Sequence, residues 1–357
     1  NDFKERAYQK TIEAIKTLDV ELAQTPLAEL VKIEGIGKST AEKIVSIVES
    51  GSFDKLDELL EKTPEGVIEM LGLSGFGPKK ISLLWKEGGA ESLEELLVLC
   101  RQGKVASIKG FAEKTQETLV KAVEFKISAR GMFRYANIEP AFKSILEQIK
   151  NSLPNAKVSE TGALRRRMDV ISVLDILVAN DDFEEVRDVL SQMESVRETP
   201  MVSGPFTWVG VHLESKAKVK IRLCIVQDFE KALLNTTGTA DHLNAKLNNG
   251  TTLKQALVSM NGKSEVEMYE SQGLQYIEPE MREGTFEIHL AEKKEVPKLV
   301  EMNDLKGILH NHSTYSDGKH TLRQMAEHCK ALGYEYLGIS DHSQTAVYAN
   351  GLYEYTV

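Results

Sequence analysis

Only three cysteines (Cys100, Cys224 and Cys329) occur in the 357 residues, and they lie far apart. No pair has the spacing of a zinc site or a disulfide framework, which excludes a small stapled fold. They read as small buried hydrophobes of a protein kept in a reducing compartment. No apolar run approaches the roughly 18–20 residues that span a bilayer. The opening Asn-Asp-Phe-Lys-Glu-Arg lacks the charged-then-apolar layout of a signal peptide. These absences point to the cytoplasm and away from a membrane. Positive charge is also short, with 44 Lys and Arg against 54 Asp and Glu, a net charge of −10. That balance counts against general affinity for nucleic acid. It does not exclude a local site made of backbone N–H groups and a few lysines.

What is present is a soluble, globular composition, 41% hydrophobic and 27% charged, on a chain too long for one ordinary core. Residues 1–130 carry apolar positions at helical spacing, as in Ala41, Ile44, Val45 and Val48, cut by glycine turns. A repeat stands out. Val31-Lys-Ile-Glu-Gly-Ile-Gly-Lys-Ser-Thr-Ala-Glu-Lys-Ile and Leu71-Gly-Leu-Ser-Gly-Phe-Gly-Pro-Lys-Lys-Ile share one plan, and Val105-Ala-Ser-Ile-Lys-Gly-Phe-Ala-Glu-Lys-Thr is a worn third copy. Gly35, Gly37, Gly75 and Gly77 let backbone approach a phosphate, and the helix that follows offers free N–H groups and its positive dipole end. Lys38 and Lys79 add charge. The plan resembles the helix-hairpin-helix, a sequence-independent binder of the DNA backbone.

After Gly131 the texture changes to strand-like runs, among them Val170–Val178, Phe206–Val211 and Val219–Val226. Residues 229–300 mix helix with polar turns. Ile308-Leu-His-Asn-His reads as a strand, followed by a helix at Leu322–Leu332 and a strand at Tyr336–Ser340 in β/α alternation. Two histidines two apart on a strand share one face, so His310 and His312 are placed together, with Asp317 in the next loop and His342 after the next strand. That set predicts a metal site.

Taken together, these motifs resemble a bacterial family X DNA polymerase joined to a PHP phosphoesterase domain, over essentially the whole chain. The resemblance implies a multidomain α+β protein. All-α helix-hairpin-helix domains come first, then a polymerase-beta-like nucleotidyltransferase palm with a mixed sheet, then the start of a β/α PHP barrel. The expected domains are a lyase-like helical domain at 1–62, a fingers-like helical domain at 63–135, the palm at 136–228, a thumb-like domain at 229–298 and the N-terminal part of the PHP domain at 299–357. The β/α domain is expected to be cut short, and the lyase-like domain to lack some N-terminal residues.

The resemblance also assigns sites. Lys43 aligns with the lyase lysine that forms a Schiff base with an abasic-site sugar, and Tyr8 and Lys4 with substrate-contacting positions. The plainer alternative, a solvated helix lysine, carries more weight at Lys43. Gly162-Ala-Leu-Arg-Arg-Arg-Met-Asp-Val-Ile-Ser-Val-Leu-Asp matches the palm signature, with Gly162 and Arg166 as the remnant of a triphosphate site. Here the chain departs from its family. Of three metal-holding aspartates only Asp175 remains; the others are Val173 and Lys220, and Ala163 replaces the serine of Gly-Ser. Two Mg²⁺ ions need several oxygen ligands, so palm Mg is predicted absent and Lys220 is expected to pair with Asp175. His310, His312, Asp317 and His342 match PHP ligands, implying a zinc, manganese or iron cluster in the complete domain. The implied partner is DNA with gaps or damaged ends, bound by a monomer. Three functions fit: a repair enzyme with a 3′–5′ exonuclease, a DNA-end-binding scaffold, or a small-molecule phosphatase, which the hairpins count against.

Overall fold

A computed structural model describes residues 2–16, 18, 20–260 and 262–356. The chain divides into two compact units, one formed by Asn1–Ile127 with Val300–Val357 and the other by Ser128–Leu299. No helix among the described residues is long and apolar enough to cross a membrane.

The first unit opens with α1 (Asp2–Lys16), α2 (Leu27–Leu30), α3 (Lys38–Ser50) and α4 (Asp54–Glu61). The apolar stripe of α3 closes a small core around Leu30, Ile36 and Ala41. A larger core gathers α5 (Glu65–Met70), α6 (Pro78–Lys86), α7 (Leu93–Arg101) and α8 (Glu113–Ser128) around Met70, Leu84, Leu96 and Leu119. Ser92 caps α7 by accepting from the Glu95 N–H, one of the donors a helix start leaves unpaired.

The second unit begins with β1 (Phe133–Arg134) and α9 (Tyr135–Ser152). Then follow β2 (Lys157–Glu160), α10 (Gly162–Arg165), β3 (Val170–Ile171), β4 (Val173–Ala179), α11 (Phe183–Gln192), β5 (Val196–Glu198), β6 (Thr207–His212) and β7 (Lys218–Cys224). Five of the strands form one sheet in the order β2-β4-β7-β6-β5, in which only β4 and β7 run parallel. Strand alternation divides the sheet cleanly. One face sends Leu174, Ile176, Val178, Trp208, Val219 and Ile221 into the core under α9 and α11. On the other face Leu177 and Ala179 are covered by Phe229 and Leu233 of α12 (Phe229–Thr237) and Val209 is buried, while Lys218 is exposed and Asp175, Lys220 and Arg222 are half-buried. A further core around Leu253, Met268, Tyr269 and Ile277 joins α13 (Ala240–Asn244), α14 (Leu253–Ala256), α15 (Glu265–Glu270) and α16 (Glu287–Lys293).

Residues 300–357 supply β8 (Gly307–Asn311), α17 (Leu322–Ala331) and β9 (Tyr336–Ile339), with β8 and β9 paired in parallel. The whole is the multidomain α+β architecture expected, with helix-hairpin-helix domains first and a mixed sheet after them.

Candidate functional site

The two glycine hairpins are built alike. The turn glycines Gly35 and Gly75 sit at φ +87° and +82°, and the residues between each glycine pair, Ile36 and Phe76, point inward and are buried. Each such anchor contributes about 1.5–3 kcal/mol. Gly37 and Gly77 stand at the starts of α3 and α6, and no side chain caps either helix. Their first N–H groups are therefore available to a phosphate, with Lys38 and Lys79 exposed beside them. At Gly35 a second constraint applies, because an added Cβ would lie 2.8 Å from Cβ of Ala14 on α1. The third copy keeps the turn (Gly110, φ +98°) and the buried anchor Phe111, but Glu113 occupies the first turn of α8 and opposes an anion.

Lys43 projects from α3 with its Nζ 5.0 Å from the Tyr8 ring and 5.8 Å from the Phe53 ring, and it donates to Ser39 Oγ at 3.2 Å. The rings hold a cation by their negative faces. The side chain of Lys4 lies outside the described residues.

In the sheet, Asp175 and Lys220 stand directly opposite one another on β4 and β7. The expected ion pair between them does not form. Arg222, two residues further along β7 and on the same face, donates Nε to Asp175 Oδ1 and Nη2 to Asp175 Oδ2, both at 2.8 Å. A guanidinium fork matches both carboxylate oxygens at once, which an ammonium cannot do, and that geometry decides the pairing. Gly162 (φ +59°) lies against this carboxylate, since a Cβ there would sit 3.3 Å from Asp175 Oδ2. These residues do not fit a pair of Mg²⁺ ions. Val173 offers no oxygen, both oxygens of Asp175 face a guanidinium, and Lys220 brings a further positive charge.

Arg166, expected to face a triphosphate, is turned to protein groups. It donates to Glu283 Oε1 at 2.6 Å and to the Thr237 carbonyl at 2.7 Å. Its neighbour Arg165 forms two 2.7 Å bonds to Glu265, which also takes two from Arg282. Arg282 is wholly buried, and Glu265 is 7% exposed at its side chain. Burial pushes the Glu265 carboxyl up, but the hydrogen bonds from Arg165 and Arg282 outweigh it and hold it at about 2. A second buried group adjoins it. His242 Nδ1 meets Glu287 Oε1 at 2.7 Å, and His242 Nε2 meets Tyr269 Oη at 2.8 Å. Glu287 is likewise raised by burial and then brought to about 2 by His242 and nearby backbone N–H groups. Sequence reasoning named none of Glu265, Arg282, His242 or Glu287 as site residues. The Ser264-x-x-Glu267 capping box that opens α15 was the one local signal beside them.

In the C-terminal segment His312, Asp317 and His342 come together, with one ligand atom from each within 4.8 Å of the others. The His312 and His342 rings lie 4.5 Å apart. His312 Nδ1 is buried without a hydrogen-bond partner among the described residues; Asp317 Oδ1 stands 3.4 Å away without bonding to it. An orphaned ring nitrogen facing a carboxylate and a second imidazole is a donor set that fits a divalent cation. Asp341 lies behind it, accepting from Ser313 N, Ser313 Oγ and Ser316 Oγ. Burial raises this carboxyl, and those bonds more than offset it and keep it below the usual range. His310 is not in the group. The β8–β9 pairing shifts register between Ile308 and Asn311, and His310 sits there at φ +60° with its side chain exposed. The register shift interrupts the strand alternation at this point, yet the His310 and His312 rings still lie 5.6 Å apart.

Known proteins extend these observations. A helix-hairpin-helix domain model matches residues 1–53, and a SAM-like helix-hairpin-helix tandem model matches residues 67–124. The DNA polymerase/3′-5′ exonuclease PolX of Bacillus subtilis (strain 168) is 32% identical over 364 aligned residues, covering 99% of this chain and 63% of that protein. DNA polymerase lambda of Rattus norvegicus is 25% identical over 285 aligned residues, covering 75% of this chain and 46% of that protein. The chain thus spans under two thirds of the length of either relative.

Proposed function

We propose that the chain, which is 32% identical to PolX over 99% of its length and carries two helix-hairpin-helix matches, is a family X repair-type DNA-binding protein whose palm no longer performs two-metal nucleotidyl transfer. The hairpins at Gly35–Lys38 and Gly75–Lys79 grip backbone phosphates of gapped or damaged DNA without reading sequence. The observation that carries the reading is the Asp175–Arg222 fork with Lys220 opposite, which puts fixed cations where the family's chemistry needs bound ones. His312, Asp317 and His342 would hold a divalent ion of the PHP phosphoesterase, and a metal bound there activates water against a phosphoester. The activity this would serve is a 3′–5′ exonuclease. The protein is cytoplasmic and acts as a monomer.

A second reading, a DNA-end-binding scaffold without chemistry, is favoured by the ligand count. Three side chains converge and His310 stays outside, enough for one cation and short of a cluster. At Lys43 the amine donates to Ser39 and lies near the Tyr8 and Phe53 rings, contacts that a helix lysine makes without any Schiff-base chemistry.

The test is a primer-template with a short gap, offered with Mg²⁺ or Mn²⁺ and all four nucleotides. No extension is expected; extension at a rate that responds to Asp175→Ala would refute the silent palm. On the complete protein, Mn²⁺-dependent shortening of the 3′ end supports the nuclease, and retention of intact DNA supports the scaffold.

A further inference from the structure

The open face of the five-stranded sheet carries a second feature that the Asp175–Arg222 pair does not use. Register places Arg197 on β5 opposite Val211 on β6, Val211 opposite Lys218 on β7, and Lys218 opposite Val173 on β4. Lys220 and Arg222 follow Lys218 at two-residue steps on the same face, roughly 6.5 Å apart along the strand. The open part of this face thus holds four cations, Arg197, Lys218, Lys220 and Arg222, against the single carboxylate of Asp175. Asp175 is spent on Arg222. Among the described residues Arg197, Lys218 and Lys220 have no ion-pair partner. Arg197 and Lys218 are exposed and Lys220 half-buried. In a chain of net charge −10, such a local excess is held against the general acidic balance. Half-buried Val211 lies between Arg197 and Lys218, and buried Val209 lies opposite Lys220, so the cations stand on apolar ground on which an ammonium keeps more of its attraction for an anion.

We propose that this face is a phosphate-binding surface that works without a metal ion, with Arg197, Lys218 and Lys220 as its ligands. Side-chain cations take the neutralising role that divalent ions have in a three-carboxylate palm. The phosphate comes either from a nucleic-acid backbone or from the polyphosphate of a free nucleotide. The proposal rests on the DNA-binding reading only for the first of these sources.

The test uses the whole chain in excess EDTA. Binding of a fluorescein-labelled gapped duplex is followed by anisotropy across a salt series, and binding of inorganic tripolyphosphate by calorimetry. Arg197→Gln, Lys218→Gln and Lys220→Gln are made together, beside a charge-keeping control (Arg197→Lys, Lys218→Arg, Lys220→Arg) that reports on folding. For duplex as the source, the slope of log K against log salt falls by about 2.7, three contacts at about 0.9 each, and the control keeps the original slope. For a nucleotide as the source, the duplex slope holds and tripolyphosphate binding is lost in the glutamine variant alone. Either result supports the face. Unchanged duplex slope together with unchanged tripolyphosphate binding overturns it and leaves the hairpin reading standing. If the wild type ignores DNA yet binds tripolyphosphate through these residues, the DNA reading fails and the face survives. If it binds neither, both fall.

Discussion

The five-stranded sheet and the C-terminal two-stranded sheet are the two places where the sequence raises the question of metal, and they differ in opposite directions. The palm is fully built: five strands, a buried face anchored by Trp208 and Phe142, and a helix over part of the other face. At the positions where the resemblance implied metal ligands it nonetheless has Val173, Asp175 and Lys220. The C-terminal pair of strands is thinly packed, with Leu309 and Tyr336 exposed, yet it brings two imidazoles and a carboxylate within reach of one ion. Packing and chemistry are thus encoded by separate residues. A sheet keeps its fold through one face while the other face is rewritten, because alternation makes the two independent.

The sharpest way to probe the well-packed side is Glu265→Ala. It leaves Arg282 buried and Arg165 without its carboxylate, and is expected to cost the Ser128–Leu299 unit about 3–5 kcal/mol. Urea unfolding followed at Trp208 measures it; a midpoint equal to wild type would mean the network carries no weight. Acid should act on the same groups. Glu265 and Glu287 have folded-state values near 2, lowered from 4.5, so their contribution is complete above the unfolded value and disappears as pH falls through the folded one. Loss of structure in this unit is therefore expected between about pH 4.5 and 2, and circular dichroism showing it unchanged across that window would contradict the assignment.

On the thinly packed side, His312→Ala should weaken Mn²⁺ or Zn²⁺ binding by about a hundredfold, while His310→Ala leaves the titration unaltered. Equal losses from both would put His310 back among the ligands. The smallest effect is expected from Val173→Asp with Lys220→Asp, which gives the palm three carboxylates again. Weak Mn²⁺ binding should appear by electron paramagnetic resonance, limited by Arg222, which still holds Asp175. Mn²⁺ bound in the wild-type palm would dissolve the contrast altogether.

Much of the architecture was readable from sequence because it is local. The hairpins announce themselves through Gly35 and Gly75, the strands through alternating Val and Ile, and the C-terminal group through the spacing of His312, Asp317 and His342. What stayed hidden depends on reach and depth. Lys220 and Arg222 are both cations on one face, and only the longer planar fork of Arg222 settles which one meets Asp175. Arg282 sits in a run of charged residues, and nothing there distinguishes the one that is wholly buried from Glu278, Glu280 and Glu283, which are half-buried or exposed. The irregularity at His310 has no glycine to mark it, so nothing in the sequence showed that His310, with its ring 5.6 Å from that of His312, falls outside the group of three.

The surplus residue in β8 makes this strand more sensitive to length than to composition. Exchanging Leu309 for another side chain alters one exposed position. Deleting it would remove the irregularity and restore regular alternation between the Ile308 and Asn311 pairs, so a change of length there moves His310 while His312 keeps its place beside Asn311.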